Sequence, residues 1–232
     1  MNPVLAWDVV LPRGLAFVAV GLLMNVFGRR VLSKKYNEEL DGSPMWLWYT
    51  NPVIQMVIIP VLCAVAIAER SIPIFDQWLI ADQAHLGIWD VDLSLVLFAY
   101  FCKDLTEKQT MLYHLHHVVC AIMSIGALYV PNCGAGIIVG GSILEVGSCC
   151  FKLTRFFPFD LWARIIGVVG MTASNLLSFG MLINTIRSKV VPTLILVPYA
   201  ISITTLLYMR QEFNFREARE FYKDRYLSKK SV

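Results

Sequence analysis

The sequence predicts an all-α polytopic membrane protein with about seven transmembrane helices. Hydrophobic residues make up 57% of its 232 positions and charged residues only 16%, with a mean hydropathy of +0.61. Soluble globular domains do not show that balance. Several apolar runs approach the roughly 20 residues a helix needs to cross a hydrocarbon core, and none has the regular alternation of a transmembrane barrel.

The first helix is expected over 14–27, with Leu11 and Pro12 at its entrance. Asp8 precedes the run and no small-residue cleavage site follows it, so it reads as a spanning helix and not as a removed signal peptide. Gly28 leads into Arg29, Arg30, Lys34 and Lys35, and a polar linker reaches Trp46, Trp48 and Tyr49, aromatics suited to the headgroup level. The second helix continues to residue 68, with Pro52 near its start and Pro60 as the expected kink. Residues 69–92 form an acidic connection in which a short interfacial helix is expected and His85 reads as a loop residue.

Further helices are expected over 93–102, 111–130, 136–151, 162–186 and 191–209. The fifth is rich in small residues: Gly136 and Gly140 have small-xxx-small spacing, and Gly141, Ser142, Gly147 and Ser148 add to it, so another helix or a partner protein can approach closely. The charged segment 211–226 reads as a solvated positive stop, with an amphipathic or helical extension as the alternative. The chain thus divides into an N-terminal helix with a basic linker (1–44), a transmembrane domain (45–209) and a charged tail (210–232).

Placing the connections after helices one, three and five and the C-terminus in the cytosol puts all but Arg13, Arg70, Arg187 and Lys189 of the 20 Lys and Arg residues on that side. The asymmetry predicts a lumenal N-terminus and a cytosolic C-terminus. Lys229 and Lys230, third and fourth from the end, resemble a retrieval signal read by coatomer, which points to the endoplasmic reticulum or another endomembrane. The N-terminus lacks an Arg-rich, amphipathic presequence, and an organellar membrane stays open as an alternative. A net charge of +3 gives no support for nucleic-acid binding. The six cysteines fit neither a zinc site nor a disulfide framework and read as buried hydrophobes, with Cys133 the one in a turn that could be exposed.

Within this apolar chain the stretch 98–155 holds Asp104, His114, His116, His117 and Glu145. Ionisable groups at membrane depth cost about 2.5–3.5 kcal/mol each on insertion scales, so they call for a function or a partner. At 1.5 Å per residue, His117 lies about 9 Å from the cytosolic start of helix four and Glu145 about 10 Å from the cytosolic end of helix five, which places them at one level. His114 shares a helix face with His117, whereas His116 points about 100° away from His117. Asp104 closes helix three on the same side. Three chemistries stay open: a reactive centre for acyl or proton transfer on a lipid, a buried hydrogen-bonded network that fixes helix packing, and a two-histidine, one-carboxylate metal site.

Tyr100 and Phe101 before Asp104, the His116–His117 pair in HHVVCA, and LEVGSCCFKLTRFF around Glu145 resemble the TLC-domain family of TRAM proteins, ceramide synthases and a ceroid-lipofuscinosis membrane protein. The likeness runs over 45–209. It implies a six-helix barrel around a lipid-accessible cavity, preceded here by one N-terminal helix, with His116, His117, Glu145 and Asp104 as candidate catalytic residues and His114, Asn175 and Arg155 as candidate cavity residues. It also implies membrane lipids as ligands and an acyltransferase or transacylase using acyl-CoA as a substrate. The synthases' longer acidic pair is absent after HHVVCA, and the segment between Asp104 and His116 is short, so the non-synthase branch, associated with membrane lipid composition or trafficking, is the closer likeness. The alternative is a non-catalytic lipid sensor, trafficking receptor or accessory subunit. Helix seven has no lysine for a Schiff base, which argues against a retinal protein.

Overall fold

The computed structural model describes residues 2–36, 38–40, 42–130 and 132–223, with the backbone but not the side chain of Leu112. In chain order its helices are α1 (Trp7–Phe27), α2 (Met45–Val53), α3 (Ile59–Ala68), α4 (Phe75–Leu79), α5 (Ile88–Leu105), α6 (Met111–Ala127), α7 (Gly134–Phe156), α8 (Leu161–Ser188) and α9 (Thr193–Tyr222). A short antiparallel ladder in the polar linker pairs Glu39 with Pro44 and Leu40 with Ser43. Among the described residues five segments are long and apolar enough to cross a membrane: Trp7–Leu32, Met45–Ala68, Gly134–Phe156, Leu161–Ser188 and Thr193–Tyr222. The protein is an all-α membrane protein. The Lys229–Lys230 pair lies outside the described residues.

Most helices run longer than their apolar cores, because capping and not hydropathy sets their ends. The third expected helix, 93–102, is α5, which starts at Ile88 because the Asp90 carboxylate accepts the Gly87 N–H at 2.7 Å. The Thr110 side chain caps α6 and that of Asp160 caps α8, accepting the Ala163 N–H at 2.7 Å. At the far end of the chain α9 continues past residue 209 to Tyr222, so the charged extension is one helix with the last apolar segment. Pro60 follows directly on a π-helical turn, Ile54–Ile58, which joins α2 to α3. There the missing proline N–H leaves the Met56 carbonyl without an α-helical donor, and the backbone adjusts.

The chain forms two compact units, Met1–Ser142 and Ile143–Val232. In the first, α5 is the central helix and packs against α1, α3 and α6. Helices in lipid gain little from hydrophobic burial against one another, so close packing and polar contacts must hold them. One ion pair joins α1 to α5, and a second joins the segments that directly follow them. Arg13 Nη1 meets both oxygens of Asp92, at 2.7 and 2.8 Å, and Arg29 grips Glu107 with Nε and Nη2, the shorter contact 2.6 Å. One pair lies early in both helices and the other just past the ends of both, so α1 and α5 run parallel. Ser94, early in α5, donates to the Ser124 carbonyl, late in α6, and those two are antiparallel.

The acidic connection is also tied down. It contains α4 and a 3-10 turn, Gln83–His85, and the Asn2 amide donates to the carbonyls of Gln83 and Leu86, both at 2.8 Å. His85 sits in that turn as a loop residue. Cys133, the cysteine expected to be exposed in its turn, is instead 1% exposed, and burial pushes its thiol up to about 11. It and Asn132 take left-handed backbone, φ 57° and 61°, so the chain reverses tightly enough to fold the thiol inward.

In the second unit α8 packs along α9, and α7 approaches α8 through small residues. A Cβ placed on Gly147 would lie 1.9 Å from Ser174 Oγ. The close approach expected of this glycine-rich helix is met there within the chain. Gly28 is the tightest glycine of the first unit, with a built Cβ 2.2 Å from the Trp46 ring. Because an indole cannot bend aside, Gly28→Ala is expected to destabilise by about 1–3 kcal/mol, read as a lower thermal midpoint in detergent, and Trp46→Leu in the same chain should recover most of the loss.

Candidate functional site

Among the described residues, the most enclosed charges meet at the end of α5. The Lys103 side chain is 0% exposed and that of Asp104 1%. An isolated charge so deep would cost several kcal/mol, about the penalty found for single buried ions, and each group here has partners instead. Lys103 Nζ donates to Asp104 Oδ1 at 2.5 Å and to Asn51 Oδ1 at 2.7 Å, and Asn51 Nδ2 donates to Asp104 Oδ2 at 2.8 Å. Lysine, aspartate and asparagine therefore form a closed ring of hydrogen bonds. Asn25 on α1 secures the same turn, donating to the Lys103 carbonyl at 2.7 Å and to Thr106 Oγ1 at 2.9 Å. Tyr100 places its ring 5.6 Å from the ammonium.

His117 on α6 faces this ring. Its Nε2 lies 4.0 Å from Asp104 Oδ2, beyond a direct hydrogen bond but within strong electrostatic reach. Aromatic neighbours fix the imidazole: Phe101 at 5.6 Å, Tyr113 at 6.3 Å and Tyr100 at 6.4 Å between ring centroids. His116 stands 5.5 Å from His117 but turns aside, edge-on to Phe101, with Cys120 Sγ 3.6 Å from its ring nitrogens. His114 turns back to the Thr110 carbonyl of its own helix at 3.4 Å. Asp104, His117 and His116 are thus brought together at one place, and His114 keeps apart from them.

Glu145, Asn175 and Arg155 belong to the second unit. Glu145 is buried on α7, on the turn where Arg210 of α9 holds the Leu144 carbonyl at 3.0 Å and Ser148 Oγ at 2.7 Å. Arg210 also donates to Asn175 Oδ1 at 3.0 Å, and Asn175 donates to Gln211 Oε1 at 2.8 Å. Gln211 continues the chain of bonds to Thr172, which also receives the Asn214 amide. Arg155 is placed elsewhere in this unit, on Glu217, at 3.1 and 3.2 Å.

Asn51, Lys103 and Asn25 were missed from sequence, as was Arg210. A signal existed for the asparagines, since an amide inside an apolar run needs a partner. Lys103 and Arg210 gave none, because each sits where a helix end would ordinarily carry a solvated cation. Among the described residues no group of three or more His, Cys, Asp or Glu side chains is placed to hold a metal ion.

The closed ring makes a double-mutant test decisive. Lys103→Met and Asp104→Leu should each destabilise the protein by about 3–5 kcal/mol, because each strands a buried charge, whereas the double substitution should lose less than either alone. Unfolding midpoints in mild detergent measure it, and additive losses would show that the two charges are independent. Comparison with protein-family models, with characterised proteins and with solved structures returns no match.

Proposed function

We propose that this chain is a TLC-like membrane protein of the non-synthase branch that acts on membrane lipids, with about seven crossings, five from the long apolar segments and two from α5 and α6. The observation that carries the reading is the buried Asp104 carboxylate set 4.0 Å from the His117 imidazole. A fixed carboxylate orients a histidine and stabilises its protonated form. With Nε2 turned to Asp104, the proton-accepting nitrogen is Nδ1. In acyl transfer His117 would take the proton of an acceptor hydroxyl or amine as that group attacks an acyl carbonyl. The same proton would pass to the departing thiol or alcohol as the tetrahedral intermediate collapses. His116 is the second histidine of the pair, and Glu145 enters as a second acid through the family pattern.

The second reading, a non-catalytic lipid sensor or accessory subunit, is favoured by one feature. Asp104 already accepts a hydrogen bond on each oxygen, from Lys103 and Asn51, which suits a rigid packing element. Replacing His116 and His117 together with alanine separates the two. In the first reading the chain still inserts and folds while acyl-chain profiles of cellular lipids change; an unaltered lipidome with intact folding leaves the second. Orientation has its own test. A glycan acceptor introduced between residues 80 and 86 should be modified, and one added after residue 232 should not, if the N-terminus is lumenal.

A further inference from the structure

Next to His117, α6 carries a second pair of reactive groups. Cys120 stands one turn after His116, and its Sγ lies 3.6 Å from both ring nitrogens of that histidine. Residues four apart on a helix share a face, so the contact is built into the helix itself. At this range the imidazole is within reach of the thiol proton. His116 also packs edge-on to Phe101 of α5, 6.4 Å between centroids, which holds the ring from the other side. Expected as a small buried hydrophobe, Cys120 is instead half-buried, and so is His116. The thiol is enclosed on one side and open on the other.

Its position around the helix decides what can reach it. His117, Ala121 and Ser124 lie on the buried face of α6, whereas Leu115, Val119 and Ile122 are 58%, 47% and 66% exposed on the opposite face. At 100° per residue, His116 and Cys120 fall on the border between the two. A thiol there meets a ligand that approaches along the exposed apolar stripe. An acyl tail lying on Leu115, Val119 and Ile122 can present its carbonyl to Sγ. Thiols attack acyl carbonyls readily once a base removes the proton, and His116 is placed to be that base.

We propose that Cys120 is the nucleophile of the acyl transfer, with His116 as its base and a long-chain acyl-CoA as the donor. This covalent stage rests on the lipid acyl transfer proposed above. Sγ attacks the carbonyl carbon of the donor as His116 takes the thiol proton. The bond from that carbon to the CoA sulfur breaks, and the proton passes to the departing CoA thiolate. The product is a thioester on Cys120, formed with no change of oxidation state. His117, its ring 5.5 Å from that of His116, then accepts the proton of the hydroxyl or amine that attacks this thioester, and returns it to the Cys120 sulfur.

The test incubates the full chain in phosphatidylcholine nanodiscs with palmitoyl-CoA and reads the adduct by intact mass, by release with neutral hydroxylamine and by peptide mapping. One hydroxylamine-labile palmitoyl group is expected on Cys120, absent in Cys120→Ala. In His116→Gln it should form about a hundredfold more slowly at an unchanged unfolding midpoint, and in His117→Gln it should accumulate, because the second stage has lost its base. Cys102 and Cys150, also half-buried, should stay unmodified. A wild type that forms no thioester, the same labelling in Cys120→Ala, or equal rates in His116→Gln would overturn the assignment, and the wild-type map serves even where a variant fails to fold. A lipid profile altered by the double histidine substitution in a chain that never forms the thioester would sink Cys120 and leave acyl transfer standing. A Cys120 thioester without any lipid change would uphold Cys120 as the acyl acceptor and sink the transfer to a lipid.

Discussion

A single buried ion pair, Lys103 with Asp104, sets the terms for the first unit. Neither charge reaches solvent, so the pair tolerates only an arrangement in which Asn51 supplies an acceptor to one and a donor to the other. That requirement fixes α2 against the end of α5, and Asn25 fixes α1 against the same turn. His117 faces the consequence: the carboxylate beside it cannot move without breaking two hydrogen bonds. A water-soluble protein could relax such a defect by admitting solvent, whereas a helix end sunk among apolar neighbours has less recourse.

The second unit solves a comparable problem with a longer side chain. Arg210 donates to the Leu144 carbonyl, to Ser148 and to Asn175, so its charge is spread over several hydrogen-bond acceptors. Dispersal of that kind suits a structural role. The pairing of Arg155 and Arg164 with Glu217 differs in kind, since two cations there share one carboxylate.

Sequence reading recovered the helices wherever apolar length decides, as in α1, α7 and α8, and it set Asp104 on the same side as the histidines, where His117 comes to 4.0 Å from it. It shortened α5 to ten residues because a hydropathy scale treats Asp90, Asp92, Lys103 and Asp104 as solvent-seeking, whatever their partners. The same blindness counted Lys103 and Arg210 among cytosolic cations. Their roles are set by Asn51 and by Ser148 and Asn175, residues about fifty, sixty and thirty-five positions away, and no local pattern encodes such meetings. His114 was grouped with His117 by helical spacing, yet the carbonyl of Thr110 was closer to hand.

The parallel joining of α1 to α5 bears on how the chain is made. Arg13 and Arg29 leave the ribosome early, and their acids, Asp92 and Glu107, follow only after dozens more residues have been added. Until then Arg13 of α1 and Arg29 just beyond it have yet to meet these acids. Both stand near the ends of the apolar run with side chains about half exposed, so they can reach the headgroup region while α1 awaits α5 in the bilayer. Assembly of this unit is therefore completed only by synthesis of its fifth helix, which brings both acids to arginines already in place.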